Sequence, residues 1–410
     1  MILINSQFLK IARDNVQEAI NKRVSIFKAV NPQAKIIELN NGDVVLPLAQ
    51  CVIDAMGRAL GEFATSETFQ GRGPVEGYQF LRDAIVKHDF RARKIKIDSS
   101  EVFINGGTKA ELAAISDILC TDNRIAVTDP IYQTYIEANV TLNRAGEEDE
   151  DGRWSHILYM DCKKENDFMP EALTECPEVI YLCSPNDPTG CAMSRQTLEE
   201  WVQYAIENNV LILFDATYQA FITESTIPRS IYEIKGARRC AIELRSFSKS
   251  AGFTGLHCGY TVIPKELNGY SFSANKGASL NEVWRRRQEI KNYSPSYIVQ
   301  RGAEVLYTTE GKKSIRENIE YYMHNASLLR SALQNTRLNF WGGVNSPFIW
   351  VESPYEDPWQ LFDKLLTGCN ILSSPGQRFG PGGKGFVRLS AFADQRGVTI
   401  ASSRLSDLDI

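Results

Sequence analysis

The sequence predicts an α/β fold, a doubly wound, mostly parallel sheet in a large domain with a smaller α+β domain beside it. Three observations predict it. Between about residues 100 and 250, short apolar runs alternate with amphipathic helical stretches, the rhythm of a parallel sheet. One run, Val210-Leu211-Ile212-Leu213-Phe214, carries no polar alternation, as a strand covered on both faces requires. No Gly/Ser linker or repeat interrupts the chain, so its domains are interleaved by topology and not tethered.

A helix spans Ser6–Ala29. Strands are expected at Glu101–Asn105, Arg124–Thr128, Val179–Cys183, Val210–Phe214 and Cys240–Arg245. Among the helices between them is Arg195–Asn208, which comes after a Pro-Thr-Gly turn and is rich in Glu, Leu and Trp. Helical patterns then occupy Glu282–Thr308 and Lys312–Gln334, and strands Asn339–Glu352 and Gly385–Ala391 belong to the smaller unit. The expected division is 46–305 for the large, ligand-binding domain, with 1–45 and 306–410 forming the small one.

Composition bounds the function. The chain has 410 residues, 43% hydrophobic and 23% charged, enough to bury a substantial core. Its net charge of -5 gives no electrostatic footprint for nucleic acid, and Arg285-Arg286-Arg287 reads as part of a solvated or interface helix surface. No apolar run approaches a membrane span, and Met1–Asn5 lacks the pattern of a signal peptide, so a cytoplasmic location is expected. Nine scattered cysteines and four histidines show no metal-ligand spacing, and no metal is expected.

In an open parallel sheet, ligands bind beyond the carboxyl ends of the strands. Asn105-Gly106-Gly107-Thr108-Lys109 comes after the first run and opens a helix, which suits either an anion cradle or a plain turn. Tyr132 comes after the second run, where an aromatic ring stacks on a planar ligand or fills core. Ser184-Pro185-Asn186-Asp187-Pro188-Thr189-Gly190 makes a rigid loop presenting polar side chains. Asp215 ends the wholly apolar strand, where a buried carboxylate calls for a cation, and Tyr218 lies three residues on. Ser246-Phe247-Ser248-Lys249 ends the fifth run and brings a lysine to the same mouth.

One ligand meets all five requirements. It carries a phosphate for the glycine turn and Ser246, a flat ring for Tyr132 and a protonatable ring nitrogen for Asp215. It also carries an electrophilic carbon for Lys249 and an oxygen that accepts from Tyr218. Pyridoxal 5'-phosphate has these groups, with Lys249 forming the Schiff base and Asp215 keeping the pyridine nitrogen protonated.

On these residues the chain resembles the fold-type I pyridoxal-phosphate enzymes of the class I/II aminotransferase superfamily, and among them the LL-diaminopimelate aminotransferases. Gly42–Leu48, Gly71–Gly77, Tyr297–Arg301 and Phe379–Phe392 extend the match over nearly the whole chain. The resemblance implies a fold-type I transferase in which Lys249, Asp215 and Tyr218 are catalytic and Tyr132 stacks on the ring. It implies that Gly107, Thr108, Ser246 and Ser248 hold the phosphate, that Arg388 takes the substrate α-carboxylate, and that Lys109 lies near the substrate. It further implies a homodimer in which the Gly71–Gly77 loop reaches the neighbouring site.

The departures bear on the substrate. Asp187 stands where the family has an asparagine that donates to the cofactor ring oxygen and to the substrate. An ionised carboxylate cannot donate, so Asp187 would repel an α-carboxylate or hold a proton. His257 replaces a phosphate-binding arginine, and Arg72 replaces the tyrosine of a Gly-Tyr-Gly, which suggests that a neighbour's Arg72 supplies the missing charge. Val75 replaces an acidic residue at the distal end of the substrate, and Asn292-Tyr293-Ser294 replaces Phe-Asn-Gly, so Tyr293 joins the substrate-facing set.

The expected function is therefore that of an aminotransferase-family enzyme acting at the Cα-amino group of a free L-amino acid through a Lys249 aldimine and a quinonoid. Diaminopimelate itself is not the expected substrate, because the distal polar contacts are altered. The alternative is non-transaminating biosynthetic chemistry: β/γ-elimination, replacement, annulation or cyclisation.

Overall fold

The computed structural model describes residues 2–11, 15–291 and 294–408. Seven strands form the main sheet: β1 (Val102–Asn105), β2 (Ile125–Asp129), β3 (Ile157–Asp161), β4 (Val179–Cys183), β5 (Leu211–Asp215), β6 (Ala241–Ser246) and β7 (Gly259–Val262). Their order across the sheet is β1-β7-β6-β5-β4-β2-β3. Only β7 runs antiparallel to its neighbours, pairing with both β1 and β6. The five expected strands are present within a residue or two; β3 and β7 are additions. Alternate residues of β5 enter different cores, Ile212 and Phe214 on one face and Leu211 and Leu213 on the other. That two-sided burial is why the run lacks polar alternation.

The helices that carry or flank the strand-end loops are α1 (Asn15–Val30), α2 (Thr108–Ile115), α3 (Thr134–Val140), α4 (Arg195–Asn208), α5 (Ser248–Ala251), α6 (Leu280–Lys291), α7 (Tyr297–Glu304) and α8 (Thr309–Gln334). Ser194 caps α4 by accepting from the Thr197 N–H at 3.0 Å, and Asn209 ends it in the left-handed conformation. The helix expected as one piece over 282–308 is divided. Pro295 disfavours helical backbone before it and lacks an N–H, and Ser296 starts α7 by accepting from the Val299 N–H.

A second, antiparallel sheet has the order β8 (Phe340–Gly342), β9 (Phe348–Glu352), β11 (Phe386–Ser390), β10 (Ser374–Pro375). Arg388 sits on the inner strand β11, opposite Trp350 of β9 and Ser374 of β10. The flanking pairing fixes the direction of a side chain that reaches across to the main sheet. Among the described residues, no helix is long and apolar enough to cross a membrane.

Candidate active site

A cavity of about 1040 Å³ opens at the carboxyl ends of β1, β2, β4, β5 and β6. Gly107, Thr108, Tyr132, Asp187, Asp215 and Tyr218 all line it, as do Ser246, Ser248, Lys249, His257, Lys109 and Arg388. Residues from five strand ends, far apart in sequence, thus share one space.

The glycine turn leads into α2. Gly107 has φ of 100°, a conformation that favours glycine, and its N–H donates to Asn105 Oδ1 at 2.8 Å. That N–H is therefore committed to shaping the turn. A Cβ on Gly106 would meet nothing within 4 Å, so the cradle is open on that side. Gly259 of β7 closes the back, since a Cβ there would sit 2.4 Å from the Arg245 carbonyl oxygen and 3.2 Å from Gly107 Cα. Only glycine lets β6, which leads to Lys249, and the cradle approach this closely. Hydroxyls complete the cradle: Thr108 Oγ1 shares a 2.8 Å hydrogen bond with Thr217 Oγ1, and Ser246 Oγ accepts from the Ser248 N–H at 3.1 Å.

At the end of β5, Asp215 is 6% exposed. Burial raises its pKa, while hydrogen bonds from Thr217 and Tyr135 pull the other way. Tyr135 OH donates to Oδ2 at 2.6 Å and the Thr217 N–H to Oδ1 at 2.8 Å. Neither partner is a cation, so this carboxylate is organised and oriented but not neutralised. A protonated ring nitrogen would supply the missing charge. The donor set of hydroxyls at an open glycine turn, a lysine amine and a buried, oriented carboxylate fits pyridoxal phosphate.

Lys249 Nζ donates to Asp43 Oδ1 at 2.9 Å, and Thr254 Oγ1 donates to the other oxygen of Asp43 at 2.7 Å. Burial pushes the Asp43 pKa up, but the hydrogen bonds from Thr254 and Lys249 outweigh it and the net shift is downward. Asp43 thus holds the lysine as a charged partner. Tyr218 OH donates to Asp187 Oδ2 at 3.3 Å, and burial first, then the charge of Asp187, keeps this phenol protonated well above its ordinary range.

Arg388 Nη1 donates to Asp187 Oδ1 at 2.6 Å and Nη2 to the Asn40 carbonyl at 3.0 Å. Its guanidinium lies 4.5 Å from the ring centre of Phe348 and 4.8 Å from that of Phe379.

Two expected residues fall outside this space. Arg72 and Val75 are not among the described residues lining the cavity of a single chain. Tyr293 lies outside the described residues. Conversely, Tyr135, Asp43 and Thr254 are site residues that sequence reasoning missed. Tyr135 lies one helical turn after Tyr132, and Asp43 stands beside the apolar run Val44-Val45-Leu46. Those are the signals that could have marked them.

Comparison with known proteins bears on the reaction. The family model described as aminotransferase class I and II matches residues 34–405. The LL-diaminopimelate aminotransferase of Bacteroides thetaiotaomicron is 47% identical over 99% of this chain and 100% of its own length. That of Parabacteroides distasonis is 47% identical over 99% of each chain. The solved structure of L,L-diaminopimelate aminotransferase from Chlamydomonas reinhardtii superposes with a TM-score of 0.90 at 34% identity, covering 99% of this chain and 98% of that one. A Thermus thermophilus aspartate aminotransferase variant shares the fold, with a TM-score of 0.81 at 19% identity, covering 100% of each chain.

These relatives overturn the expectation that diaminopimelate is not the substrate, and the non-transaminating alternative finds no support among them. The physical reason lies in the polar lining of the cavity. Lys109, Gln133, Glu148 and Lys384 line that cavity, so the altered motif positions do not leave it without polar groups. A cofactor cradle, a lysine and a buried carboxylate in one cavity, with a family match over most of the sequence, lead to one conclusion: the chain belongs to the class I and II aminotransferases.

Proposed function

We propose that this chain is an LL-diaminopimelate aminotransferase working as a homodimer. The observation that carries the reading is 47% identity over 99% of the chain to an enzyme of that name. Its family uses pyridoxal 5'-phosphate. When bound, that group supplies an aldehyde that captures amines and a protonated ring that draws electrons from the adjacent Cα.

The residues divide the remaining work. Asp215, set by Tyr135 and Thr217, holds the ring nitrogen's proton. Thr108, Ser246, Ser248 and the turn at Gly107 receive the phosphate, with His257 at the rim and Arg72 contributed by the second subunit. Tyr132 would pack on the ring face, and Tyr218 would donate to its hydroxyl oxygen. Arg388 binds the substrate α-carboxylate. Lys249 Nζ would remove the Cα proton, with Asp43 placed to receive the resulting ammonium. Lys109, with Val75 of a second subunit, belongs to the substrate's surroundings.

The test is amino transfer itself. Cofactor-loaded enzyme is given LL-diaminopimelate and a panel of 2-oxo acids, and the donor's amine is expected to appear on the acceptor mole for mole. Transfer from other amino acids but none from diaminopimelate would overturn the substrate assignment, and a monomer by sedimentation would overturn the dimer.

A further inference from the structure

The guanidinium of Arg388 is held on several sides at the cavity wall. Phe348 and Phe379 flank it at 4.5 and 4.8 Å. Its Nη2 donates to the Asn40 carbonyl, and its Nη1 donates to Asp187 at 2.6 Å. Its Nε is buried with no hydrogen-bond partner among the described residues. Asp187 and Arg388 are 8% and 5% exposed, so this is a desolvated pair and not a surface contact.

We propose that Asp187 is a specificity-determining residue that acts as a resident counter-ion. It occupies the edge of Arg388 that a substrate α-carboxylate needs, so carboxylates bind by exchange and not by addition. The inference rests on the reading of Arg388 as the α-carboxylate partner. An end-on two-oxygen grip, with both Nη nitrogens donating, needs the Nη1 that Asp187 Oδ1 now fills, while the side-on edge runs through the buried Nε. Displaced, Asp187 keeps its contact with Tyr218 OH through Oδ2 but is left beside the incoming carboxylate. Two anions then share one cation, which costs affinity. The observed dissociation constant is the intrinsic one divided by the small fraction of sites in which Arg388 is released.

The consequence is selective. A neutral amide at this position would leave Arg388 available and raise affinity for any carboxylate that reaches it. With Asp187 present, simple carboxylates are screened out, and a substrate must compensate through contacts elsewhere in the cavity. The acid thus exchanges affinity for discrimination.

The test uses hexanoate, a carboxylate with no amine to react, titrated calorimetrically into cofactor-loaded enzyme. Asp187→Asn is expected to tighten hexanoate at least about tenfold. Asp187→Glu, which keeps the charge, should stay within about threefold of the parent. Arg388→Gln should abolish binding in either background. A parallel readout is KM for the amino donor, expected to fall in Asp187→Asn even where kcat falls as well. Hexanoate binding that is unchanged or weaker in Asp187→Asn, with Arg388→Gln still losing it, would overturn the counter-ion role alone. Binding indifferent to Arg388→Gln would overturn the carboxylate reading and this inference with it. Should Asp187→Asn not fold, Asp187→Ser removes the same charge and is held to the same expectation.

Discussion

The Tyr135 hydroxyl lies 2.6 Å from Asp215 Oδ2, joining α3 to the end of β5 across 80 residues of sequence. The bond does two things. It fixes the carboxylate's orientation, and it opposes the upward pKa shift that burial imposes on Asp215. Tyr135→Phe removes the donor with little change in shape. Losing a hydrogen bond to a charged acceptor costs about 1.5–3 kcal/mol, so cofactor affinity should fall by roughly tenfold or more. Fluorescence titration of the apoprotein with pyridoxal phosphate checks it, and an unchanged dissociation constant would refute the role.

Asp43 holds Lys249 in an ion pair in which its own side chain is 41% exposed. A pair so open contributes at most about 1 kcal/mol to stability. Asp43→Asn should therefore leave the thermal midpoint within a few degrees of the parent. Its effect should fall on chemistry, because an ammonium tied to a carboxylate is no nucleophile. Stopped-flow absorbance should show the apoprotein capturing the cofactor aldehyde severalfold faster in the variant.

Glu111 is buried beneath the phosphate cradle, accepting from Thr261 Oγ1 at 2.9 Å, while Thr261 in turn accepts from Asn105 Nδ2. Burial pushes its pKa up to about 7, against partial relief from Thr261 and Asn105. The folded protein therefore keeps a proton that the unfolded chain releases above about pH 4.5. Stability should fall as pH rises from there, by up to roughly 3 kcal/mol, and level off above about pH 7. Glu111→Gln should flatten this slope in apoprotein melting curves taken between about pH 5 and pH 7.5. A parent curve parallel to the variant's would count against it.

How much was legible in the sequence depends on the range of each interaction. Val210–Phe214 declared its two-sided burial locally, and Asp215 at its end declared a need for charge. β7 was hidden because its antiparallel return depends on Gly259 fitting against Arg245 and Gly107, a contact between distant segments. The pairing of Asp187 with Arg388 spans 201 residues and depends on how β11 sits against the main sheet. Motif comparison could mark each residue as present or altered, but not that the two touch. For the same reason the altered distal positions misled: the polar groups that line the cavity, Lys109, Gln133, Glu148 and Lys384, come from segments far apart in sequence that tertiary packing brings together.

His257 is exposed at the rim of the cavity, with φ of 54°. Histidine is among the residue types enriched in that left-handed region, whereas a longer side chain there carries a strain of order 1 kcal/mol. An arginine nevertheless brings a permanent charge and a fork suited to phosphate. His257→Arg should tighten pyridoxal phosphate by about tenfold, the strain offsetting part of a larger gain. If Arg72 of a second subunit supplies the phosphate charge that histidine lacks, the two positions must couple. Arg72→Ala should then weaken cofactor binding several times more in the parent than in His257→Arg, and the double-mutant cycle measured by apoprotein titration reads that difference directly. Additive effects would show that Arg72 acts elsewhere.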